Sequence, residues 1–286
     1  VYEGFDPLSG DKVAIKVLRA EHLPDEAADS AGARFEREAE ATKRLRHPNI
    51  VAVHQYGEQG RIRFIAMEFL DGRELKSLLR ERGRLPLDDA VALLLQLLDA
   101  LGHSHRHGVV HRDIKPANVM VLDGQRVKVM DFGIARIESA AHTQMGTLLG
   151  SPAYMSPEQM RGLPADWRCD LWAAGVILYE MLVGRTPFAA ASTPELMRNA
   201  ATREPVPVSS LLPELPAALD AVIARALAKN REERFQSAAE FAAALVQAVA
   251  AAAPAVDLDL ADEGGVDLEL GDALPPAWPS VRPAGP

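Results

Sequence analysis

The sequence has little cysteine, few aromatic residues and no excess of positive charge, and each scarcity excludes a class of protein. Cys169 is the single cysteine among 286 residues, so no disulfide framework can form, and a reducing compartment such as the cytoplasm is favoured. The 31 lysine and arginine residues are outnumbered by 40 aspartate and glutamate residues, giving a formal charge of −9. Binding to nucleic acid needs clustered basic residues, so we expect no nucleic-acid partner.

The apolar segments are too short or too interrupted to span a membrane. The best candidates, residues 91–101 and 241–256, contain polar residues or consist mainly of alanine. A transmembrane helix needs about 20 consecutive apolar residues, so we expect no membrane contact within this segment. The chain starts at Val1 rather than at methionine, and we expect it to be a fragment. This expectation leaves open a membrane anchor elsewhere in the parent protein.

The pattern of apolar residues predicts a small strand-rich part followed by a larger helical part. Alternation from Val13 to Val17 predicts one strand, and residues 51–56 and 61–69 predict two more around a turn at 57–60. From Arg73 onward the spacing becomes helical. The remaining predicted elements are helices at 33–46, 88–106, 168–183 and 217–228 and a hairpin of strands at 119–122 and 126–130. Together they predict an α+β fold.

The negative charge is concentrated at the end of the chain. Residues 254–286 contain seven acidic residues and one arginine, without a large set of apolar side chains. We therefore predict a disordered, acidic tail rich in alanine and proline over residues 251–286. The segments 256–260 and 266–270 alternate apolar and acidic residues. That pattern leaves two interpretations open, a solubilising linker or a motif that docks a substrate or partner.

Two acidic residues, a lysine and an asparagine lie close together in the middle of the chain. Asp113, Lys115 and Asn118 fall within residues 111–118, just before the predicted hairpin, and Asp131 follows that hairpin. Carboxylate and amide oxygens are the ligands that Mg²⁺ prefers and that it shares with phosphate groups. The pattern therefore indicates a site for a magnesium ion and a phosphorylated ligand.

A further pair of opposite charges is predicted in the strand-rich part. On the predicted helix at 33–46, Glu38 shares a face with Phe35, Thr42 and Leu45, which we expect to point inward. A buried carboxylate is costly unless a cation meets it, and Lys16 on the neighbouring strand is the natural partner. The alternative is that Glu38 reaches solvent at the edge of this face.

Together these motifs resemble the eukaryotic-type protein serine/threonine kinases, in particular their bacterial branch. The resemblance extends from Val1 to about Leu245. The matching residues are Val13-Ala14-Ile15-Lys16, Glu38, residues 111–118, Asp131-Phe132-Gly133, Ser156-Pro157-Glu158, Asp170-Leu171-Trp172-Ala173-Ala174-Gly175 and Arg234. The resemblance implies a two-lobed fold, with a sheet-rich N-lobe at 1–70 and a helical C-lobe at 71–250. It also implies an enzyme that transfers the γ-phosphoryl group of ATP to serine and threonine hydroxyls of proteins.

The functional residues of the family carry over to positions of this sequence. The implied catalytic residues are Asp113, which accepts or orients the substrate proton, Lys115, which stabilises the transferred phosphoryl group, and the phosphate-binding Lys16 with its partner Glu38. The implied ATP-binding residues are Val1, Ala14, Lys16, the gating residue Met67, the hinge residues Glu68 and Leu70, Met120 and Asp131. The implied Mg²⁺ ligands are Asn118 and Asp131. Structural roles are implied for Arg112, Phe132, Asp170, which would hold the catalytic loop, and the pair Glu158 and Arg234.

A cation beside the catalytic aspartate predicts regulation by phosphorylation. Arg112 would be unpaired unless the segment from Asp131 to Glu158 supplies an anion, and a phosphothreonine would supply one. By their place in the corresponding segment of the family, the resemblance implies Thr143 and Thr147 as the candidate autophosphorylation sites, and the alternative is that both are solvated loop hydroxyls. Family members often activate in trans, so the resemblance also implies a homodimer of kinase domains.

One motif of the family is absent from the sequence. The glycine-rich loop and the first strand would precede Val1, and we expect Gly4 and Gly10 to flank a hairpin turn instead. We therefore expect this segment to bind ATP more weakly and to transfer phosphate slowly. Two other functions stay open. One is a pseudokinase or scaffold that only binds, and the other is a small-molecule phosphotransferase, which usually lacks the loop at 150–158 and the helix start at 170–175.

Overall fold

The first part of the chain forms a four-stranded antiparallel sheet. The computed structural model describes residues 1–7, 9–19, 40–59, 62–132 and 151–251, all within one compact unit, Val1–Ala253. The strands, in the spatial order β1-β2-β4-β3, are β1 (Tyr2–Phe5), β2 (Lys12–Arg19), β3 (Val53–Gln59) and β4 (Ile62–Glu68). On β4, Arg63, Ile65 and Met67 are buried and the residues between them are partly exposed, which is the period expected of a strand with one covered face.

The pairing of β2 with β4 brings several predicted nucleotide-binding residues together. Ala14 lies opposite Met67, and Lys16 lies opposite Ile65. Because side chains alternate along a strand, Ala14 and Lys16 project from the same face of β2. The sheet therefore presents one small side chain and one ammonium group on a single surface.

The predicted turn at 57–60 is longer than the turn that the structure shows. Gly57 belongs to β3, where it pairs with Phe64 on β4, and the two strands continue to Gln59 and Ile62. A Cβ atom on Gly57 would lie 2.8 Å from Cζ of Phe64. A side chain at this position would have to displace the Phe64 ring, so glycine fits here because the ring covers it, and not because the chain turns there.

Three short strands form a second sheet. In spatial order they are β5 (Gly72–Glu74), β6 (Val119–Leu122) and β7 (Arg126–Val129). The predicted hairpin of β6 and β7 is confirmed, and Gly124 in its turn has a φ of 70°. The prediction that helical structure begins at Arg73 is wrong, because β5 pairs with β6 before the first helix starts at Leu75. Pairing with a distant strand overrides the local sequence pattern here.

Helices make up most of the rest of the described chain. They are α1 (Leu75–Arg82), α2 (Leu87–Arg106), α3 (Pro157–Met160), α4 (Arg168–Val183), α5 (Thr193–Thr202), α6 (Val208–Leu211), α7 (Ala218–Ala226) and α8 (Ala238–Ala250). The predicted helices at 88–106, 168–183 and 217–228 are confirmed as α2, α4 and α7. Of the helix predicted at 33–46, residues 40–46 are described, and 40–43 are helical.

Helix α4 lies in the core of the helical part. Nearly all of its residues are buried, including Trp172 and Ile177, as expected of a helix that is apolar on every side. Helices α2 and α7 pack against it. Gly175 permits the close approach of α7, since a Cβ atom there would lie 2.7 Å from Cβ of Ala226. This packing holds α4, whose first turn carries Asp170, in the core.

An antiparallel sheet followed by a helical part confirms the predicted α+β fold. The lobe boundaries at residues 70 and 250 stay predictions. The predicted tail at 251–286 lies outside the described residues except for Ala251, so its disorder also stays a prediction. Within the part of the chain that the structure describes, every helix is too short or too polar to cross a membrane.

Candidate active site

The loop at residues 111–118 lies between α2 and β6, and the buried carboxylate of Asp170 binds its backbone. Asp170 accepts hydrogen bonds from the backbone N–H of Arg112 at 2.7 Å and of His111 at 2.9 Å. Nε2 of His105 on α2 donates a third bond to the same carboxylate at 2.8 Å. Burial alone would raise the pKa of Asp170, but the His105 hydrogen bond and the nearby imidazoles outweigh burial and lower it. The carboxylate therefore stays charged and anchors the loop.

Two residues of the site have a left-handed backbone. Arg112 has a φ of 66° and Asp131 has a φ of 62°. Such a conformation costs a non-glycine residue about 1–3 kcal/mol, and it persists only where the surroundings enforce it. At Arg112 the enforcing contacts come from Asp170 and from Gln159, whose Nε2 donates to the Arg112 carbonyl at 2.8 Å. The backbone strain of the site is thus located at Arg112, directly before Asp113, and at Asp131.

Asp113, Lys115 and Asn118 form a connected cluster on the loop. Nζ of Lys115 lies 2.6 Å from Oδ2 of Asp113. Nδ2 of Asn118 donates to the same oxygen at 3.1 Å and to the Asp113 backbone carbonyl at 2.7 Å. Among the described residues no hydrogen bond reaches Oδ1 of Asp113. The cluster thus orients a carboxylate while leaving one of its oxygens available to accept a proton.

An ion pair connects the first sheet to the segment after β7. Nζ of Lys16 on β2 lies 2.9 Å from Oδ2 of Asp131, and both side chains are largely buried. The next residue, Phe132, is fully buried, and its ring contacts the His111 ring edge-on at a centroid distance of 4.7 Å. Glu38 lies outside the described residues, so its pairing with Lys16 stays a prediction. The partner that the structure gives Lys16 is Asp131.

Beside Lys16 the first sheet borders a mostly apolar cavity. Its empty volume is about 300 Å³, part of which is open to solvent. The lining residues are Thr42, Val51, Val53, Ile65, Met67, Asp131 and Phe132. Of the other nucleotide-binding candidates, Ala14 pairs with Met67, whereas Val1 is exposed and precedes β1, and Met120 lies on β6. Of the predicted ATP-binding residues, Met67 and Asp131 line this cavity. Those outside its lining are Val1, Ala14, Lys16, Glu68, Leu70 and Met120.

The predicted hinge residue Glu68 is fixed by a lysine that the sequence analysis missed. Nζ of Lys128 on β7 lies 2.6 Å from Oε1 of Glu68 and also donates to the Ile50 carbonyl at 3.2 Å. The backbone N–H of Ala52 donates to the same Glu68 oxygen at 2.8 Å. A lysine in an alternating strand has the pattern of a solvent-facing residue, so the sequence carries no signal for this contact.

Glu158 and Arg234 form a buried ion pair in the helical part. Nη1 and Nη2 of Arg234 donate to the two carboxylate oxygens of Glu158 at 2.7 and 2.8 Å. Burial alone would raise the pKa of Glu158, but the Arg234 guanidinium outweighs burial and lowers it. The pair ties α3 to the segment before α8. Gly133, Thr143 and Thr147 lie outside the described residues, so the phosphorylation sites stay predictions.

Comparison with known proteins identifies the family. The model of the protein kinase domain matches residues 1–246. The chain belongs to the protein kinase family. The kinase domain is 40% identical over 253 residues to the probable serine/threonine-protein kinase PknB of Bifidobacterium longum, covering 84% of this chain and 36% of that protein. It is 41% identical over 241 residues to serine/threonine-protein kinase PknB of Mycobacterium leprae, covering 82% of this chain and 38% of that protein.

A third relative matches more of the chain. Serine/threonine-protein kinase PknB of Mycolicibacterium smegmatis is 38% identical over 289 residues, which cover 96% of this chain and 45% of that protein. The kinase domain thus spans less than half the length of each of these three relatives. The predicted membership in the bacterial branch of the kinase family is confirmed by these matches.

Proposed function

We propose that this domain is a protein serine/threonine kinase that phosphorylates hydroxyl groups of protein substrates with ATP. The observation that carries the proposal is the cluster around Asp113, whose Oδ2 is held by Lys115 and Asn118. A carboxylate held in this way can accept or orient the proton of a hydroxyl group. The relatives are named serine/threonine-protein kinases, which supports the same class of substrate.

In this proposal ATP lies against the surface that β2 and β4 form. The ammonium of Lys16 would bind its phosphates, and Ala14 and Met67 would contact the adenine. The residues present also suit Mg²⁺. Because Asn118 uses Nδ2 to hold Asp113, its Oδ1 is left to act as a ligand, and Asp131 supplies carboxylate oxygens. A bound magnesium ion would neutralise negative charge on the phosphates.

The side chains of the domain would then act by position and charge. Asp113 would hold the substrate hydroxyl in line with the terminal phosphate. Lys115, which contacts Asp113 at 2.6 Å, would stabilise charge on the transferred group. Because the transition state of phosphoryl transfer is loose, the protein needs no covalent intermediate.

The regulation that we propose follows from Arg112. Its guanidinium makes no ion pair with any described residue, and a phosphate on Thr143 or Thr147 would supply a partner. A second copy of the domain would deliver that phosphate in trans. The single cysteine supports a reducing compartment such as the cytoplasm.

Incubation with Mg-ATP followed by mass spectrometry tests the proposal. The chain should gain phosphate on serine or threonine, and Asp113→Asn should reduce the rate by roughly 10²–10⁴-fold because the proton acceptor is lost. Asp123→Asn makes the same change at an exposed turn and should leave the rate unchanged. Undiminished labelling in the Asp113→Asn variant would contradict the proposal and favour a contaminating kinase. No labelling of the unchanged chain would favour a domain that only binds.

A further inference from the structure

One glutamine side chain connects the catalytic loop to the segment that begins at Ser151. Nε2 of Gln159 on α3 donates to the Arg112 carbonyl at 2.8 Å. Its Oε1 accepts from the backbone N–H of Ser156 at 3.0 Å and from the Ser156 hydroxyl at 3.1 Å. Both polar atoms of this side chain are thus used, and the two ends of the amide serve different parts of the chain.

The contact acts on the peptide group that precedes the proposed base. The carbonyl of this group belongs to Arg112 and accepts from Gln159, and its N–H belongs to Asp113 and donates to Nδ1 of His111 at 3.3 Å. A peptide group is planar, so bonds at both ends fix its rotation. The direction in which the Asp113 side chain leaves the backbone is therefore set by these two bonds.

The backbone of Arg112 needs such support because its φ is 66°. Asp170 holds the N–H of this residue, and Gln159 holds its carbonyl. Removing the second bond would allow the peptide to rotate towards a less strained conformation. The carboxylate of Asp113 would turn with it, while the buried anchor at Asp170 would stay in place.

We propose that Gln159 is a positioning residue for phosphoryl transfer, acting on Asp113 through the Arg112 carbonyl. The inference rests on the proposed kinase function. It gives the side-chain amide of Gln159 a role in addition to capping the N-terminus of α3. It also means that the segment 151–159 and the proposed base share one rigid connection, so a substrate contacting this segment meets a base of fixed orientation.

The variant Gln159→Glu removes the donor of the side-chain amide and keeps its acceptor. It keeps an oxygen that accepts from Ser156, but it places a second oxygen against the Arg112 carbonyl in place of a donor. Gln96→Glu is the matched control. Nε2 of Gln96 donates to the Gln125 carbonyl at 2.9 Å, and Gln125 also has a positive φ, of 58°. Both variants therefore remove a donor from the carbonyl of a left-handed residue, but only one of them acts next to Asp113.

The first measurement is amide hydrogen exchange at Asp113, followed by nuclear magnetic resonance. Gln159→Glu should raise the exchange rate of this amide by about tenfold, the effect of losing one hydrogen bond, whereas Gln96→Glu should leave it unchanged. The second measurement is steady-state phosphorylation of a peptide. Gln159→Glu should lower kcat by roughly ten- to a hundredfold with the KM for ATP unchanged, since the nucleotide contacts are untouched.

A pH series distinguishes positioning from simple loss of stability. The carboxyl group that Gln159→Glu introduces becomes protonated at low pH, and in that form it can donate to the Arg112 carbonyl again. The deficit in kcat relative to the unchanged chain should therefore shrink in Gln159→Glu, and not in Gln96→Glu, as the pH falls from about 8 to about 4.5, close to the ordinary pKa of a glutamate. Where Gln159→Glu does not fold, Gln159→Met removes the donor without adding a charge and should show the same exchange at Asp113.

Equal exchange at Asp113 in Gln159→Glu, Gln96→Glu and the unchanged chain, with equal kcat, would overturn the inference and reduce Gln159 to a helix cap. An unchanged chain that transfers no phosphate would instead refute the proposed function. In that case the exchange measurement still decides whether Gln159 orients the peptide before Asp113.

Discussion

The buried pair of Glu158 and Arg234 gives the sharpest prediction about stability. The Arg234 side chain is fully buried, and it meets Glu158 through two parallel bonds of 2.7 and 2.8 Å. Its Nε also donates to the Ala228 carbonyl at 2.8 Å. The variant Arg234→Met keeps an apolar stem of similar length and removes the charge. It therefore leaves the Glu158 carboxylate buried without a cation.

The expected loss of stability follows from that unpaired charge. Removing one partner of a buried ion pair costs about 3–5 kcal/mol, mainly because the other charge stays desolvated. The total stability of a domain is only about 5–15 kcal/mol, so Arg234→Met should be close to unfolding. Glu158→Gln combined with Arg234→Met should cost less than the sum of the two single changes, because no charge is then left alone.

Urea unfolding at pH 7 measures these differences. The control is Glu214→Gln, which breaks the exposed pair of Arg84 and Glu214 at 3.1 Å and should leave the stability almost unchanged, because solvent screens an exposed pair. A loss below about 1 kcal/mol in Arg234→Met would refute the argument that burial controls the cost. Strict additivity in the double variant would refute the argument that the cost is that of an uncompensated charge.

The pH dependence of the same pair has a definite sign. The pKa of Glu158 is below its ordinary value of 4.5 in the folded state. A carboxyl with a lowered pKa stabilises the folded state above its unfolded pKa and loses this contribution as the pH falls through the folded pKa. The stability difference between the unchanged chain and Glu158→Gln should thus be constant above about pH 5 and shrink in more acidic solution.

Three further predictions concern substitutions of single residues. Tyr154→Phe removes the hydroxyl that donates to Oε2 of Glu180 at 2.6 Å, so the already raised pKa of Glu180 should rise further in an NMR titration, and urea unfolding should show a loss of about 1–3 kcal/mol. Gly175→Ala should cost about 1–3 kcal/mol in the same assay, because its Cβ would lie 2.7 Å from an alanine Cβ on α7. Lys16→Met should reduce phosphate transfer by about a hundredfold or more, whereas Lys12→Met, at an exposed pair, should not.

Much of the fold could be predicted from the sequence, because the pattern of apolar residues within a segment indicates whether that segment is a helix or a strand. Helix α4 has the predicted bounds, 168–183, since its apolar run begins and ends sharply. The two errors have a common cause. Gly57 has the composition of a turn but lies under the Phe64 ring, and β5 is a strand only because β6 is beside it. In both places a partner distant in sequence decides the local conformation.

In the candidate site, too, contacts between residues close in sequence could be predicted, whereas contacts between distant residues could not. Asp113, Lys115 and Asn118 lie on one loop, so their spacing alone indicates that they meet. Lys128 contacts a residue 60 positions away, and Gln159 contacts one 47 positions away. Neither contact follows from a periodic pattern of residues. The acceptor of the Gln159 bond is the backbone carbonyl of Arg112, and the pattern of side chains along the sequence gives no indication of such an acceptor. The sequence motifs therefore indicate the residues that we expect to take part in the reaction, such as Asp113. They do not indicate the residues that position them, such as Lys128 and Gln159.

The supporting contacts also separate the two carboxylates of the site. Asp113 is oriented through Arg112 by Asp170 on α4 and Gln159 on α3, which both belong to the helical part. Asp131 is paired with Lys16 on β2 in the first sheet. A movement of the first sheet would therefore alter the surroundings of Asp131 directly, whereas it would reach Asp113 indirectly, through His111, which contacts Met130 and Phe132 beside Asp131. In the proposed function, the phosphate-binding Lys16 and the base Asp113 are thus held by contacts from different parts of the fold, and Asn118 is the residue that would serve both the magnesium ion and the base.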